Sequence, residues 1–257
     1  MPWDLAGLRS QRSGLENIVR CGLETSQSGL SLKGVRPMTK HRKDEQRKEQ
    51  ICQAATRCFL RRGFTATRLL DIAREAGMSK GGVYFHFRAK EDLVGEILAR
   101  DARRFRARVE GYLEAGLGAE DILVHILREH LVGTMPEGGS AALAMMLVSL
   151  APHSEACRAA LAHYTAALRD VYTMVCERGI RVGRFRDGDP AEHAEVVLGV
   201  VHGVAAAAVA TGRPVDGDAA MKVARRVAAL LRRAPGTAPR ATAGPEPADV
   251  STVEFAR

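Results

Sequence analysis

Residues 67–90 read TRLLDIAREAGMSKGGVYFHFRAK and contain two short helical patterns with a tight corner between them. In the first pattern, apolar side chains recur at positions i, i+3, i+4 and i+7, the spacing of one helix face. They are Leu69, Ile72, Ala73 and Ala76. Thr67 is predicted to be the N-cap of this helix, and Gly77 to end it, because glycine readily adopts positive φ. Ser79 is predicted to cap the second helix, with Val83 facing a shared core, so the stretch predicts a helix-turn-helix.

The positive charge of the chain is concentrated around this stretch. Residues 38–90 contain 13 Lys and Arg against 5 Asp and Glu, whereas the rest of the chain has 25 of each. The whole net charge of +8 therefore lies in residues 38–90. A compact basic module attached to a neutral body is typical of proteins that bind phosphate groups. The alternative is an ordinary solvated charged face.

The segment from Tyr84 to Leu93, which reads YFHFRAKEDL, together with the helix-turn-helix pattern before it, resembles the DNA-binding domain of the tetracycline-repressor (TetR) family. The resemblance implies an all-α fold, with an N-terminal three-helix helix-turn-helix DNA-binding domain followed by a helical ligand-binding and dimerisation domain. The expected divisions are a disordered extension at 1–37, the helix-turn-helix domain at 38–89, the effector-binding and dimerisation domain at 90–233, and a disordered tail at 234–257. Met38 is expected to be the natural start, because a basic arm follows it, with Met1 as the alternative.

The resemblance implies a set of residues that contact double-stranded DNA. Hydroxyl and ammonium groups near two helix N-termini suit phosphate oxygens. These phosphate contacts are Thr67, Ser79, Lys80, Tyr84 and Lys90. His86 also matches a family position, although a packed histidine is the simpler interpretation.

Gly81 and Gly82 depart from the commoner family pattern, which has a side chain at the position of Gly82. Two glycines in so short a helix cost about 1 kcal/mol each relative to alanine. Either they let the backbone approach a base edge, or they are merely tolerated. If Gly82 contacts no base, selectivity is expected to depend on Arg68, Lys80, the basic arm and DNA shape.

The second domain is expected to be helical throughout. Apolar periodicity and turn residues predict helices at 90–116, 119–135, 140–150, 154–177, 190–212 and 216–233, after a first helix at 44–62. The helix at 140–150 has no charge and is expected to be buried. The resemblance implies a small-molecule pocket among these helices, with ordinary core packing as the alternative. Its candidate lining residues are Met145, Met146, Tyr164, Leu168 and Tyr172.

A stretch without ionised side chains covers residues 196–212. Small residues recur there every four positions, and an amphipathic helix follows; the pair resembles the family's dimerisation helices and implies a homodimer built as a four-helix bundle. The implied interface residues are Gly199, Gly203, Ala207, Val223 and Val227. A membrane helix is the alternative, but a span needs about 20 apolar residues, and His202 interrupts this shorter run.

Together these features predict a sequence-specific transcriptional regulator, a repressor that binds a palindromic operator as a homodimer and is released by a small-molecule effector. The alternatives are an architectural DNA-binding protein without a ligand, and a helical enzyme with a DNA-binding domain. No catalytic residue, cofactor or metal site is predicted, because the five cysteines are scattered without a CxxC and no GxSxG or Walker motif occurs. With no export signal recognised, the expected location is cytoplasmic and not in a membrane.

Overall fold

The structure is a computed structural model that describes residues 40–132 and 140–234. Within these ranges the chain forms nine α-helices and no strand, which confirms the all-α prediction. In chain order they are α1 (Lys40–Arg62), α2 (Leu69–Glu75), α3 (Lys80–His86), α4 (Lys90–Glu114), α5 (Ala119–Val132), α6 (Ser140–Leu150), α7 (Glu155–Arg181), α8 (Pro190–Thr211) and α9 (Gly217–Leu231). The predictions for residues 1–37, for the end of the 119–135 helix and for the tail beyond 234 lie outside the described residues.

Helices α1 to α3 enclose a small apolar core, as a helix-turn-helix requires. Its fully buried side chains include Ile51, Ala54, Ala55, Phe59, Ile72 and Val83. Gly77 forms the corner between α2 and α3 with φ of +64°. Gln50 Nε2 on α1 donates a 2.8 Å hydrogen bond to the carbonyl of Ala76, so α1 holds the corner as well as the core. The predicted helix-turn-helix is confirmed.

The start of α2 differs from the prediction. Arg68 is the N-cap residue, and its backbone N–H donates to Asp71 Oδ2 at 3.0 Å. Thr67 is 1% exposed, and its Oγ1 lies 2.8 Å from the carbonyl oxygen of Gly63 and 3.3 Å from that of Cys58. The Thr67 hydroxyl therefore satisfies the end of α1 and not the start of α2. A threonine hydroxyl bonds backward or forward with similar ease, which is why the sequence pattern misplaced the cap.

The longer helices build the second part of the molecule. Helix α4 packs against α7, α7 packs against α8, and α5 packs against α9, while α6 contacts α7 and α4. The prediction that α6 is buried on all sides is wrong. Leu143 and Leu147 are 0% exposed, but Val148 on another face is 51% exposed. An absence of charge indicates that a helix can be buried, but it does not determine which faces its neighbours cover.

Helix α7 continues past the end predicted at residue 177 to Arg181. Gly179 is buried inside the helix, where the ring of Phe185 lies against its backbone. A Cβ at Gly179 would lie 2.0 Å from Phe185 Cδ2. The loop that carries Phe185 is tied to the end of α9 by a 2.8 Å bond from the Arg186 N–H to the Leu231 carbonyl. Gly179 is therefore required for packing, not for ending the helix.

Gly179→Ala is expected to lower the free energy of unfolding by about 1–3 kcal/mol, because the buried Phe185 ring has to move. Gly111→Ala, in α4, is the matched control. A Cβ at Gly111 meets no atom within 4 Å, and alanine there should stabilise the helix by about 0.5–1 kcal/mol. Urea unfolding of both variants measures the difference. Equal changes in stability would contradict the packing role of Gly179.

Candidate nucleic-acid interface

The surface of α3 presents several side chains that contribute little to the apolar core. Ser79 caps the helix as predicted, since its Oγ accepts a 3.1 Å hydrogen bond from the Gly82 N–H. Lys80 is exposed, and its Nζ lies 5.4 Å from the ring centroid of Tyr84. Tyr84 is 45% exposed and Phe85 is 81% exposed. An exposed patch that combines a cation with two aromatic rings is suited to contact with a ligand or macromolecule.

The two glycines of α3 lie in different surroundings. Gly81 is exposed, and a Cβ built on it meets nothing within 4 Å. A Cβ at Gly82 would lie 3.3 Å from the Oγ of Ser79, which is the capping atom. Within the chain, therefore, Gly81 has no steric reason to lack a side chain, whereas Gly82 makes room for the cap.

The cations of this region divide into two groups. Arg57 and Arg61 both bind Glu75 at 2.8 Å and lower the pKa of that carboxyl to about 2 by hydrogen bonding, with Arg61 the stronger influence. Other cations are exposed and have no ion-pair partner among the described residues. They include Arg68, Arg74, Lys80 and Arg88. Some of the basic residues counted in the sequence are thus held in ion pairs within the protein, and others are available at the surface.

Lys90 does not present its ammonium group to the surface as predicted. Its Nζ donates to the carbonyl oxygens of Phe64 at 2.8 Å, Thr65 at 3.2 Å and Thr67 at 3.3 Å. It also lies 4.5 Å from the ring centroid of Phe64. An ammonium group has three protons to donate, and these three acceptors account for all of them. Lys90 is therefore a clasp between the start of α4 and the turn before α2, and in this conformation its donors are engaged within the protein and not directed at a phosphate.

Two other predicted contact residues point into the protein. The side chain of His86 is 5% exposed, with Nδ1 3.5 Å from Asp44 Oδ1, and its ring packs beside Phe85 and Phe87. The simpler interpretation, a packed histidine, therefore holds. Thr67 is buried, so its hydroxyl is not available to a phosphate.

Sequence reasoning missed the exposed aromatic ring of Phe85. In the run from Tyr84 to Phe87 every residue except His86 has a large apolar ring, so composition alone could not separate core from surface. The position of each ring around the helix, counted from Val83, was the signal that could have separated them. Val83 and Phe87 lie one turn apart and are buried, and Phe85 lies halfway between them and therefore points away.

The predicted ligand-pocket residues lie in different surroundings. Leu168 and Tyr172 are 2% and 0% exposed and belong to the core, while Met145 and Met146 are partly exposed on α6. Tyr164 lines a cleft of about 520 Å³ between α4 and α7, here called the α4–α7 cleft. The other four residues do not line this cleft.

The side chain of Tyr172 lies in a buried aromatic group. Its hydroxyl is 3.1 Å from His130 Nδ1, and its ring centroid lies 5.9 Å from that of Phe105. Burial lowers the pKa of His130 to about 4, helped by the nearby His202, so the imidazole is neutral near pH 7. Nowhere in residues 40–132 or 140–234 is there a group of His, Cys, Asp or Glu arranged to hold a metal ion.

One face of α8 is exposed and made mostly of small residues. It carries Val196, Gly199, Gly203, Ala206, Ala207 and Ala210, all exposed. A Cβ at Gly199 or Gly203 would meet nothing within 4 Å. On α9, Val227 was predicted to lie at the interface, but it is 3% exposed and packs in the chain's own core. Leu230, also on α9, is 62% exposed.

Helix α8 also has the length and composition of a membrane span. Its most apolar window has a mean hydropathy of 1.8, and 33% of that window is buried. Helices that pack at subunit interfaces or in cores have the same composition. The feature is therefore weak support for a membrane segment.

The fold and the surface of α3 define a helix-turn-helix protein with a second helical domain. Residues 51–97 match the family model for bacterial regulatory proteins of the TetR family, and residues 119–233 match the C-terminal model of BetI-type transcriptional repressors. The chain belongs to the TetR family.

Similar proteins include both regulators known from sequence and solved structures. The transcriptional regulator TtgR of Pseudomonas putida is 41% identical over 63 residues, which are 24% of this chain and 30% of TtgR. The repressor BepR of Brucella suis is 35% identical over 88 residues, 34% of this chain and 41% of BepR. The chain thus matches less than half the length of either relative. A TetR-family regulator from Rhodococcus sp. has a structure with a TM-score of 0.63 and 26% identity, covering 74% of this chain and 100% of that one.

Proposed function

We propose that the protein is a transcriptional regulator that binds a double-stranded DNA operator as a homodimer and is released by a small-molecule effector. The observation that carries the proposal is the exposed face of α3, where Lys80, Tyr84 and Phe85 project from a helix held by the core of a helix-turn-helix. In such motifs the second helix enters the major groove. The domain division follows, with 38–89 binding DNA and 90–233 carrying effector binding and dimerisation.

The contacts divide into positioning and selective groups. In this proposal Lys80, Tyr84 and the Ser79 end of α3, all exposed, contact phosphates, and Arg68 adds an exposed cation at the start of α2. The exposed ring of Phe85 is suited to apolar contact with a thymine methyl group. Specificity in this proposal comes from Phe85 and the Gly81 backbone more than from hydrogen bonds to base edges.

Lys80→Met is expected to weaken binding to all DNA sequences and to reduce the salt dependence by about one phosphate contact. Lys80 forms no ion pair within the described residues, so its removal should not alter stability. Fluorescence anisotropy at several salt concentrations measures the slope. Arg158→Met, which removes an exposed cation on α7, is the control. An unchanged slope for the Lys80 variant would remove it from the set of phosphate contacts.

Gly81→Ala is expected to raise stability while lowering operator affinity. Alanine at an open helical position stabilises by about 0.5–1 kcal/mol, and nothing within the chain opposes a Cβ at Gly81. If the more stable variant bound the operator less tightly, the loss would have to arise at the contact with DNA. There the added methyl group would hold the backbone of α3 away from the groove. Unfolding curves and operator titrations measure the two effects. If affinity is unchanged, the glycine is merely tolerated.

The homodimer is proposed to form through the exposed face of α8 and the neighbouring part of α9. Gly199, Gly203 and Ala207 allow two helices to approach closely, and exposed Leu230 adds apolar area. Two copies on one duplex would contact half-sites about one helical turn, roughly 34 Å, apart or further. Dimerisation is then a condition of tight operator binding.

The test of the proposed function is selection of binding sites from random duplex DNA with the purified full chain, followed by titration of the selected sequence at physiological salt. A near-palindromic sequence bound about 10³-fold more tightly than unrelated DNA is the expected result. Equal affinity for all duplexes would favour the architectural alternative. No binding at all would refute the proposal.

A further inference from the structure

The walls of the α4–α7 cleft are made of small residues. Gly95, Ala99 and Ala102 lie on one face of α4, and Ala160 and Ala167 face them from α7. Side chains this short leave a space of about 520 Å³ between two packed helices. This volume lies within the range of about 300–1,000 Å³ that is usual for small-molecule sites.

Tyr164 gives the cleft a neutral, fixed wall. The residue is 5% exposed, and its hydroxyl donates a 3.0 Å hydrogen bond to Asp101 Oδ2. Burial, together with the Asp101 carboxylate, raises the pKa of Tyr164 far above its ordinary value. The phenol keeps its proton, so this wall offers an apolar ring and no acid–base chemistry near pH 7.

Two guanidinium groups at the rim are only weakly satisfied. Arg103 is 64% exposed and lies 3.4 Å from Glu96, whose carboxylate is already bonded to Arg100. Arg106 pairs with Glu110 at 3.0 Å across an exposed turn of α4, an arrangement worth about 0–1 kcal/mol. Both guanidinium groups can therefore bind a further carboxylate, since their paired N–H donors match its two oxygens.

The opposite rim carries groups of different character. His163 and Asp170 on α7 line the cleft and are exposed. Neither has an ion-pair or hydrogen-bond partner within the described part of the chain. The negative charge of Asp170 repels a second anionic group of a ligand on that side. Its carboxylate can accept a hydrogen bond from a ligand hydroxyl or amine. The cleft is therefore polarised, with cations on the α4 rim and an acceptor on the α7 rim.

One rim residue is also part of the contact between α4 and α1. Glu96 bonds Arg100, whose side chain is 13% exposed. Arg100 in turn binds Glu45 at 2.8 Å and Glu49 at 3.2 Å on α1. A change at the Glu96 carboxylate therefore alters the ion cluster that fastens α1, and with it the helix-turn-helix, to α4.

We propose that the α4–α7 cleft binds a small amphipathic carboxylate and transmits its presence to the helix-turn-helix through Glu96 and Arg100. The apolar body lies against the alanine walls and Tyr164, and the carboxylate pairs with Arg103 and Arg106. This pairing takes Arg103 from Glu96 and leaves Glu96 to Arg100 alone. The coupling to DNA rests on the proposed regulatory function, whereas the binding itself does not.

The binding is tested by calorimetry on the full chain without DNA, using naphthalene-2-carboxylate and the matched cation 2-naphthylmethylammonium as probes. The anion is expected to bind and the cation to bind at least about tenfold more weakly. Arg103→Ala and Arg106→Ala should each weaken binding of the anion by about tenfold or more, as expected from the loss of a charged hydrogen bond. Ala167→Leu should fill the cleft and abolish binding, whereas Ala162→Leu, on an exposed face of α7, should have no effect. No binding of the anion, equal binding of the cation or an unaffected Ala167→Leu variant would overturn the site.

The coupling is tested by titrating the selected operator with and without the carboxylate probe. The probe is expected to change operator affinity at least about fivefold, within the usual range of allosteric coupling. Arg100→Met removes the guanidinium that joins Glu96 to Glu45 and Glu49 but leaves the lining of the cleft unchanged, so it should keep probe binding and lose the change in operator affinity. Probe binding without any effect on a functional operator complex would overturn the coupling alone. Failure to bind any operator, with probe binding intact, would count against the regulatory function and not against the site.

Discussion

Lys90→Met is expected to destabilise the helix-turn-helix domain without changing the salt dependence of DNA binding. The substitution keeps most of the side-chain stem but leaves the carbonyls of Phe64, Thr65 and Thr67 without the ammonium donor. Losing donors to partly buried acceptors costs about 1–3 kcal/mol in free energy of unfolding. The turn before α2 then loses its tie to α4, and operator affinity falls because the domain is less ordered. Thermal unfolding and anisotropy titrations at several salt concentrations measure the two quantities.

Lys80→Met is the matched control for Lys90→Met, because both changes remove one ammonium group from the same domain. Lys80 is exposed and bonded to no carbonyl, so its loss should spare stability and lower the salt slope by about one. The two variants should therefore show opposite patterns. If Lys90→Met lowered the slope and left the unfolding free energy unchanged, Lys90 would be a phosphate contact after all.

The helix-turn-helix was predictable because several local signals agree there. Periodic apolar residues, a positive-φ glycine at Gly77 and a capping Ser79 each favour the same structure, and they are borne out. Helix ends were less predictable where one residue can serve two roles. Thr67 can bond forward as a cap or backward to Gly63, and Gly179 can end a helix or admit a ring. Tertiary neighbours decide both cases, and a single sequence does not contain their positions.

The candidate site shows the same division. Exposed Lys80 and Tyr84 follow from helical phase, since Val83 fixes which face of α3 is buried. The direction of a long side chain does not follow. Lys90 folds back to carbonyls 23–26 residues earlier in the chain, a contact that appears only once α4 is placed. Chemistry alone made Lys90 a reasonable phosphate ligand, and geometry changed its role.

Gly203→Glu is expected to convert the proposed dimer to a monomer while leaving each chain folded. Gly203 is exposed on α8, and a Cβ there meets no atom of its own chain within 4 Å. Replacing a helical glycine should even stabilise the isolated chain. In a two-fold interface the same patch meets its copy, so two carboxylates would enter one close helix contact. In a monomer the two copies of α3 are no longer linked, so the affinity gained by binding two half-sites at once is lost. Operator affinity should therefore fall by about 100-fold or more.

Gly111→Glu is the control that separates dimerisation from charge and helix propensity. It places the same carboxylate at an exposed, open glycine of α4, where no second copy is proposed to bind. Sedimentation equilibrium should show a monomer for the Gly203 variant and a dimer for the Gly111 variant, with circular dichroism showing helix in both. A Gly203→Glu protein that remained dimeric would place the interface elsewhere, and the exposed small-residue face of α8 would need a different occupant. A monomer that still bound the full operator with undiminished affinity would instead show that a single helix-turn-helix suffices, because no other change in the chain accompanies the substitution.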